Sequence, residues 1–171
     1  MTDLPDRIEL GDGAFLRVLV EDDVTQAYVD GLNDPQVNRF LIGPRSRRQT
    51  FDTVRAFVAE NAEDDGAVLY GLYVDGALRG TVRVHGLVPG LEAAIGIALF
   101  DRSIWGRGWA RRCIAAVTDA ALAAGAAAVV AGVYADNEGS RRAFAGAGYE
   151  RDELGGGVGP DGPYERWVRR P

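Results

Sequence analysis

The sequence is poor in the residues that build disulfides and metal centres. It contains one cysteine, Cys113, and one histidine, His85. A single cysteine excludes an internal disulfide and provides no ligand set for a metal ion. We therefore expect no metal site, and this cysteine usage fits a reducing, cytoplasmic setting.

Long apolar runs and an excess of positive charge are also missing. The longest nearly apolar run, residues 120–135, is interrupted by Gly125 and Gly132, which is typical of a helix end, a turn and a strand rather than a membrane span. The first ten residues, MTDLPDRIEL, are acidic and lack the apolar core of a secretory signal. The formal net charge of −6 argues against non-specific binding of nucleic acid. We therefore expect neither a membrane nor a nucleic acid as a partner.

Apolar runs and turn signals alternate along the chain as in a globular domain of ordinary size. The 171 residues fit one domain, residues 1–171. Strands come first as a meander and then alternate with helices, which predicts a mixed α/β sheet. The predicted strands are residues 8–10, 15–20, 68–74, 78–87, 91–100, 128–134, 149–153 and 164–168. The predicted helices are residues 22–32, 36–41, 51 onward, 109–124 and 137–146, with a basic loop at 43–48 and a Gly-rich loop at 155–162.

The rest of the chain is organised around residues 95–112, IGIALFDRSIWGRGWARR. An apolar run is followed by the Gly-rich segment 106–108 and then at once by a helical pattern, so several backbone N–H groups lie without partners at the positive end of a helix dipole. No Ser, Thr, Asp or Asn caps this helix, and Arg107, Arg111 and Arg112 crowd a first turn where cations are unfavourable. A bound polyanion would account for both features; the alternative is a surface loop with solvated arginines.

The same glycines also suggest a dinucleotide-binding fold, since Gly106-x-Gly108 lies between a strand and a helix and Asp136 follows the next strand. However, Arg111 stands where the third glycine of that pattern should be. Several residues also separate Phe100 from Gly106, where that fold turns immediately. Both departures disfavour this alternative.

Three blocks of sequence carry a resemblance to a known family. They are LNDPQVNRFL (residues 32–41), IGIALFDRSIWGRGWA (95–110) and AGVYADNEGSRRAFAGAGY (131–149). In this order they are similar to the GNAT superfamily of acyl-CoA-dependent N-acetyltransferases over nearly the whole chain. The family's pyrophosphate motif is Gln/Arg-x-x-Gly-x-Gly/Ala; Trp105 holds its first position, and Gly108 and Ala110 fit the last two. Trp at that first position is usual in the branch of ribosomal-protein N-terminal and amino-sugar acetyltransferases, and the blocks look closest to the amino-sugar group.

The resemblance implies a fold and a way of binding acetyl-CoA. The fold is a mostly antiparallel central sheet, splayed between the family's fourth and fifth strands and flanked by about four helices. The pyrophosphate would bind the amides of Arg107 to Arg111, and pantetheine would enter the splay like an added strand. Gly96 would form a bulge in the fourth strand. The implied cofactor-binding residues are Leu99, Phe100, Trp105, Gly106, Arg107, Gly108, Trp109, Ala110, Arg111, Asn137, Ser140 and Arg142; for Asn137 a plain helix N-cap is an equal alternative.

Acetyl transfer to an amine needs a neutral amine and a proton for the departing thiolate. Many relatives place a Glu just before the Ile-Gly-Ile segment, but this chain has Ala94 there. Glu92, on the same strand face, and His85, on the preceding strand, are the candidate bases; a solvated strand end and a structural imidazole are their alternatives.

The usual acid of the family is also replaced. Its Tyr near the CoA sulfur, seven residues after the Asn, is Phe144 in this chain, and Phe144 has no proton to donate. Ser140, which matches a Ser of the ribosomal-protein branch, is the first substitute. Tyr134 is the second, with a core aromatic that has no catalytic role as its alternative.

The basic segment between the first two helices is the candidate acceptor site. Arg39, Arg45, Arg47 and Arg48 lie there, and arginine suits bidentate contacts with phosphate. In the superfamily this segment borders the acceptor side, so Arg39, Arg45 and Arg48 are predicted to hold an anionic acceptor; a solvated basic loop is the alternative. We therefore expect an N-acetyltransferase acting on a small amine, including a nucleotide-linked amino sugar. The N-terminal α-amine of a protein and a non-catalytic acyl-CoA-binding module remain alternatives, with a monomer or homodimer as the assembly.

Overall fold

The computed structural model describes residues 4–171, and these form one eight-stranded sheet in the order β1-β2-β3-β4-β5-β6-β8-β7. The strands are β1 (Arg7–Gly11), β2 (Ala14–Val18), β3 (Val68–Val74), β4 (Ala77–His85), β5 (Glu92–Ala98), β6 (Ala128–Tyr134), β7 (Glu150–Gly159) and β8 (Gly162–Arg169). Each neighbouring pair is antiparallel except β5 and β6, which are parallel. This confirms the predicted mixed sheet. It excludes the dinucleotide-binding alternative, because that fold needs a mostly parallel sheet.

Six α-helices flank the described part of the sheet. They are α1 (Gln26–Asn33), α2 (Pro35–Asn38), α3 (Ile42–Ser46), α4 (Phe51–Glu63), α5 (Trp109–Ala123) and α6 (Glu138–Gly146). The four longer ones match the four helices that the family resemblance implies, and α2 and α3 are single short turns. None of the helices in residues 4–171 is long and apolar enough to cross a lipid bilayer.

Apolar residues are buried on both faces of the sheet. On one face α5 buries Cys113, Ile114, Val117 and Ala121, which share one side of the helix as their three- and four-residue spacing predicts. On the other face α1 and α4 cover β3 and β4, with Tyr28, Val54 and Val58 in the centre of the layer. The two layers leave one place where the sheet opens.

That opening lies between β5 and β6. The two strands pair over only three residues, from Glu92 with Ala128 to Ala94 with Val130. Beyond this point β5 continues to Ala98 and β6 to Tyr134 with no pairing between them. Because β5 carries the Ile-Gly-Ile segment, β5 and β6 correspond to the family's fourth and fifth strands. The sheet is therefore splayed at the pair of strands that the resemblance implies.

Several predicted boundaries differ from the structure. The predicted bulge at Gly96 is wrong, because Gly96 pairs in register with Arg83 and the β4–β5 ladder has no register shift. Thr25 caps α1, whereas residues 22 and 23, where this helix was predicted to begin, lie in a short 3₁₀ turn. The predicted basic loop contains α3. The predicted Gly-rich loop is part of the β7–β8 hairpin, whose ladder shifts register near Gly157. Glycine-rich and short Pro-containing segments have weak local preferences for helix or strand. In α3 and in the β7–β8 hairpin the secondary structure is therefore set by tertiary contacts. Residues 1–3 of the N-terminal segment lie outside the described residues.

Candidate active site

The loop that joins β5 to α5 is fixed by contacts at both of its ends. Asp101 accepts from the Ser103 N–H at 2.9 Å and forms an ion pair with Arg79 at 2.5 Å. The indole N–H of Trp105 donates to the Leu99 carbonyl oxygen at 2.9 Å. Trp105 therefore fixes the loop to the end of β5. This hydrogen bond gives tryptophan a structural role at the first position of the motif.

The start of α5 has the geometry of an anion site. Gly108 is the N-cap residue and has φ of 81°, a left-handed conformation that favours glycine, and no side chain caps the helix. The N–H groups of Trp109, Ala110 and Arg111 have no acceptor within residues 4–171. A Cβ atom added at Gly106 or Gly108 would meet nothing within 4 Å, so the space in front of these amides is open. The amides are free, as the sequence predicts.

The arginines of this first turn have different surroundings. Arg112 forms an ion pair with Asp12 at 2.9 Å, donates to the Leu10 carbonyl and stacks on the Trp109 ring. Arg112 is thus a brace to the β1–β2 turn rather than an anion ligand. The Trp109 side chain is buried beneath it, so only the backbone of Trp109 is available at the loop. The stem of Arg111 packs next to Gly146 of α6, and Arg107 is exposed.

The residues expected to face pantetheine are partly engaged with protein. The Leu99 carbonyl already accepts from Trp105. The Phe100 side chain is buried and stacks on Tyr28 at 4.6 Å between ring centroids, and the Phe100 carbonyl lies against Gly31 of α1. The Leu99 carbonyl is therefore already used within the protein, and the Phe100 side chain is covered by α1, which the apolar sequence of this segment could not reveal.

A cavity of about 710 Å³ lies on the α1/α4 face of the sheet. Its floor is formed by Thr81 and Arg83 of β4 with Gly96 and Ala98 of β5. Its walls come from apolar side chains of the helices and β3, including Tyr28, Leu32, Val54, Phe57 and Leu69. Because Gly96 has no side chain and its Cβ position is open, the cavity reaches β5, the strand that borders the splay.

The two candidate bases lie in different environments. His85 is directly opposite Ala94, the position at which relatives carry a Glu. It shares a strand face with Thr81 and Arg83. Partial burial lowers the pKa of His85, the charge of Arg83 lowers it further, and Asp64 acts in the opposite direction. Glu92 forms an ion pair with Arg166 at 2.6 Å, and Arg166 also contacts Asp152. The Glu92 carboxylate is therefore already occupied. Neither Glu92 nor His85 is part of the cavity lining, and His85 is two residues from Arg83 of the floor.

The start of α6 holds two of the predicted residues. Asn137 is its N-cap, and its side-chain oxygen accepts from the Ser140 N–H at 3.2 Å. Ser140 is half-buried. Phe144 lies in the core, edge-on to Tyr149, which agrees with its lacking a part in proton transfer. Arg142 is exposed and lies 3.8 Å from Glu138 on the same helix.

Tyr134 is half-buried rather than a core aromatic. It ends β6 at the splay, 6.1 Å from the Phe40 ring, and its hydroxyl lies 3.5 Å from Asp161 Oδ2. Partial burial and the nearby Asp161 carboxylate raise the pKa of Tyr134, while Arg45 opposes them. The phenol is therefore protonated at neutral pH and can donate a proton.

Two of the three predicted acceptor-binding arginines already form ion pairs. Arg39 pairs with Asp136 at 3.3 Å, and Arg45 pairs with Asp161 in the β7–β8 turn. These contacts join the α2–α3 segment to the far side of the splay. Arg48 is exposed, and Arg47 lines the cavity.

Three residues at or beside the cavity floor were not predicted from the sequence: Thr81, Arg83 and Asn61. Strand alternation could have found the first two, because Thr81, Arg83 and His85 are two residues apart on β4. Asn61 gave no local signal: it lies on α4 among apolar positions, and its partner Arg83 is distant in sequence.

The comparisons with known proteins agree with this geometry. The family model described as an acetyltransferase (GNAT) domain matches residues 14–150. A comparison with curated protein sequences gives no significant match.

Solved structures show the same fold at low sequence identity. The microcin C7 self-immunity acetyltransferase MccE, in complex with acetyl-CoA and AMP, has a TM-score of 0.83 and 15% identity over 98% of this chain and 97% of its own. The ribosomal L7/L12 α-N-protein acetyltransferase RimL, in complex with coenzyme A, has a TM-score of 0.77 and 16% identity over 96% of this chain and 97% of its own. The aminoglycoside acetyltransferase AAC(6')-Ib, in complex with coenzyme A, has a TM-score of 0.75 and 17% identity over 92% of this chain and 95% of its own. Since the family model covers most of the chain, this protein belongs to the GNAT acetyltransferases.

Proposed function

We propose that this chain, as one domain of residues 1–171, transfers the acetyl group of acetyl-CoA to the primary amine of a small molecule. The observation that carries the proposal is the cavity of about 710 Å³, which adjoins the splayed strand β5 and is walled by helices. A pocket of this size suits a small ligand. The single cysteine fits a reducing compartment, so the cytoplasm is the proposed location.

The residues at the start of α5 fit acetyl-CoA. The free amides of Trp109, Ala110 and Arg111, with the exposed Arg107, would hold its pyrophosphate. Pantetheine would lie in the splay between β5 and β6, next to Leu99 and Phe100, and Arg142 and Asn137 would border it from α6. Acetyl-CoA supplies an activated acetyl group, and no metal takes part in the proposal.

The residues of the cleft would handle two protons. His85 would take the proton of the acceptor ammonium, because its lowered pKa keeps the imidazole neutral at pH 7. Glu92 is the weaker candidate because Arg166 holds it. Tyr134 would protonate the departing thiolate, with Ser140 as the second candidate.

The acceptor would enter between the α2–α3 segment and the β7–β8 hairpin. A nucleotide-linked amino sugar is the specific acceptor that the sequence blocks favour, and Arg39, Arg45 and Arg48 would then contact its phosphates. Such an acceptor would have to displace Asp136 and Asp161 from two of these arginines.

A protein N-terminal α-amine is the second candidate acceptor. Ser140 favours it, because this residue matches the ribosomal-protein branch of the family and lies half-buried at the start of α6. RimL, which has the same fold, is a ribosomal-protein α-N-acetyltransferase. A peptide would have to reach the splay past Gly132, the exposed residue of β6.

A thiol-release assay tests the proposal. The protein is incubated with acetyl-CoA and a panel of amino sugars, nucleotide-linked amino sugars, alkyl amines and short peptides, and CoA release is followed for each. We expect release with small amines. Release with peptides alone would transfer the function to the N-terminal α-amine. Thermal stabilisation by acetyl-CoA without release for any amine would favour a non-catalytic acyl-CoA-binding module.

A further inference from the structure

In the described part of the chain, Arg83 is a half-buried arginine on the cavity floor without an acidic partner. Most arginines of the described chain form ion pairs, including Arg79, Arg102 and Arg166. Arg83 forms none within residues 4–171. Because burying a guanidinium is costly unless an anion compensates it, the unpaired charge calls for a ligand.

The guanidinium of Arg83 is held in place by neutral groups. Its Nε donates to Asn61 Oδ1 at 2.5 Å, and its centre lies 6.0 Å from the centroid of the Phe57 ring. Asn61 is itself 4% exposed and donates to the Phe57 carbonyl at 2.7 Å, which fixes its orientation. With Nε engaged, the two terminal nitrogens of Arg83 have no acceptor in the described residues. That edge can bind a carboxylate or a phosphate with two hydrogen bonds.

The rest of the lining strengthens such a contact. The walls are mostly apolar, which lowers the local dielectric constant and makes an ion pair stronger than in water. Besides Arg83, the charged residues of the lining are Arg47 and Glu60. Two arginines against one acid give the lining a formal charge of +1, in a chain whose net charge is −6.

We infer that Arg83 determines acceptor specificity by binding a carboxylate or phosphate of the amine substrate. The inference rests on the proposed function, because it assigns the substrate class of the same cavity. Arg83 lies two residues before His85 on one face of β4, so the two Cα atoms are about 7 Å apart. The acceptor is therefore an amine with an apolar body and an anionic group several bonds from the nitrogen. This class differs from an anionic acceptor held at the rim by Arg39, Arg45 and Arg48.

Matched acceptor pairs test this inference. The first pair is 6-aminohexanoate and its neutral amide, and the second is 5-aminopentyl phosphate and 5-aminopentanol. We expect the parent protein to prefer the anionic member in kcat/KM by at least about tenfold, which corresponds to about 1.4 kcal/mol. In Arg83→Gln the ratio of the two kcat/KM values within each pair should fall to about twofold or less, and Arg83→Lys should retain part of the preference. The ratio is the readout because loss of the Arg83 charge also acts on His85, and that effect is common to both members of a pair. The carboxylate and phosphate pairs show which anion the site favours.

Two further variants separate a ligand role from a folding role. Arg55→Gln removes the same charge from the solvent side of α4, where Arg55 lies 3.5 Å from Glu21, and should leave the preference unchanged. Asn61→Asp places a carboxylate on Arg83 and should abolish the preference while the protein remains folded. Stabilisation by CoA should be equal in all variants, because none of these residues lies in the α5 loop.

Binding of amine-free ligands separates this inference from the proposed function. Hexanoate or pentyl phosphate should stabilise the parent protein against heat and should not stabilise Arg83→Gln. That result would support the anion site even if no amine released CoA, an outcome that would refute only the proposed function. Acetylation of the amines with the same anion preference in Arg83→Gln would overturn the inference and leave the proposed function standing, as would a parent protein that prefers the neutral amines.

Discussion

His85 lies directly opposite Ala94 on the neighbouring antiparallel strands β4 and β5. Directly opposed residues of such strands have Cβ atoms about 5 Å apart, so the imidazole is near the place of the missing family Glu. This chain therefore has Ala94 in place of the family Glu and an ionisable side chain, His85, on the neighbouring strand beside it. The strand pairing therefore favours His85 over Glu92 as the general base, and the sequence alone did not show this pairing.

His85→Gln should lower kcat/KM by about 100-fold, the usual contribution of a general base. Because burial and Arg83 lower the pKa of His85 below its usual 6.5, the parent should lose activity as the pH falls through that lower value. This loss of activity at low pH should be absent in His85→Gln measured with the same acceptor. The ratio of the pH profiles of the parent and the variant therefore reports the ionisation of His85 alone.

Glu92→Gln is the matched variant, and it should keep the pH profile of the parent. Loss of the acidic limb in Glu92→Gln instead would make Glu92 the base. Unchanged profiles in both single variants and in the double variant would mean that the acceptor is neutral without help, which favours an amine of low pKa.

The CoA loop is tested by two substitutions at one glycine. Gly108 has φ of 81°, so Gly108→Ala and Gly108→Glu carry the same backbone strain, about 1–2 kcal/mol. Only Gly108→Glu adds a negative charge where the pyrophosphate would bind. We expect Gly108→Ala to retain most of the thermal stabilisation by CoA. Gly108→Glu should lose at least tenfold in affinity, about 1.4 kcal/mol at saturation. Equal stabilisation of Gly108→Glu and the parent would place the pyrophosphate elsewhere.

Gly96 provides a test of the acceptor cavity. A Cβ atom at Gly96 meets nothing within 4 Å, and Gly96 is not among the residues with positive φ. The series Gly96→Ala, Gly96→Val and Gly96→Leu should therefore fold normally while filling the cavity floor in steps. We expect kcat/KM for the acceptor to fall with side-chain volume, by more than about tenfold for Leu, with little change in stabilisation by CoA. An acceptor that binds equally well to the Leu variant does not use this cavity.

The sequence predicted the order of the elements, the apolar face of α5 and the free amides at Gly108, because each of these depends on local spacing and helix-end chemistry. It did not predict the cavity floor, since Arg83, Gly96 and Asn61 meet only through strand pairing and helix packing. It also missed the use of the Leu99 carbonyl by Trp105 and the use of Arg112 as a brace to Asp12. In these cases the partner is set by tertiary structure, and the side chain alone gives no sign of it.

The proton donor can be identified by three conservative variants. Tyr134→Phe removes the phenol whose pKa is raised by burial and Asp161, and it should lower kcat by about tenfold or more. Ser140→Ala should have a smaller effect, and Phe144→Leu should affect stability alone because Phe144 is buried in the core. A kcat loss in Ser140→Ala that exceeds the loss in Tyr134→Phe would exchange the two roles.

The ion pair between Arg45 and Asp161 joins the α2–α3 segment to the β7–β8 turn. If Arg45 binds an acceptor phosphate, Arg45→Ala with Arg48→Ala should raise the acceptor KM, leave the acetyl-CoA KM unchanged and make the acceptor KM less sensitive to salt. Asp161→Asn would free Arg45 and should then lower the acceptor KM. If the pair instead holds the α2–α3 segment against the β7–β8 turn, both changes break the same contact and should shift the acceptor KM in the same direction. Steady-state kinetics of the variants at two salt concentrations therefore decides between a phosphate ligand and a structural link, and an acceptor KM that none of them changes would remove Arg45 and Arg48 from the acceptor site.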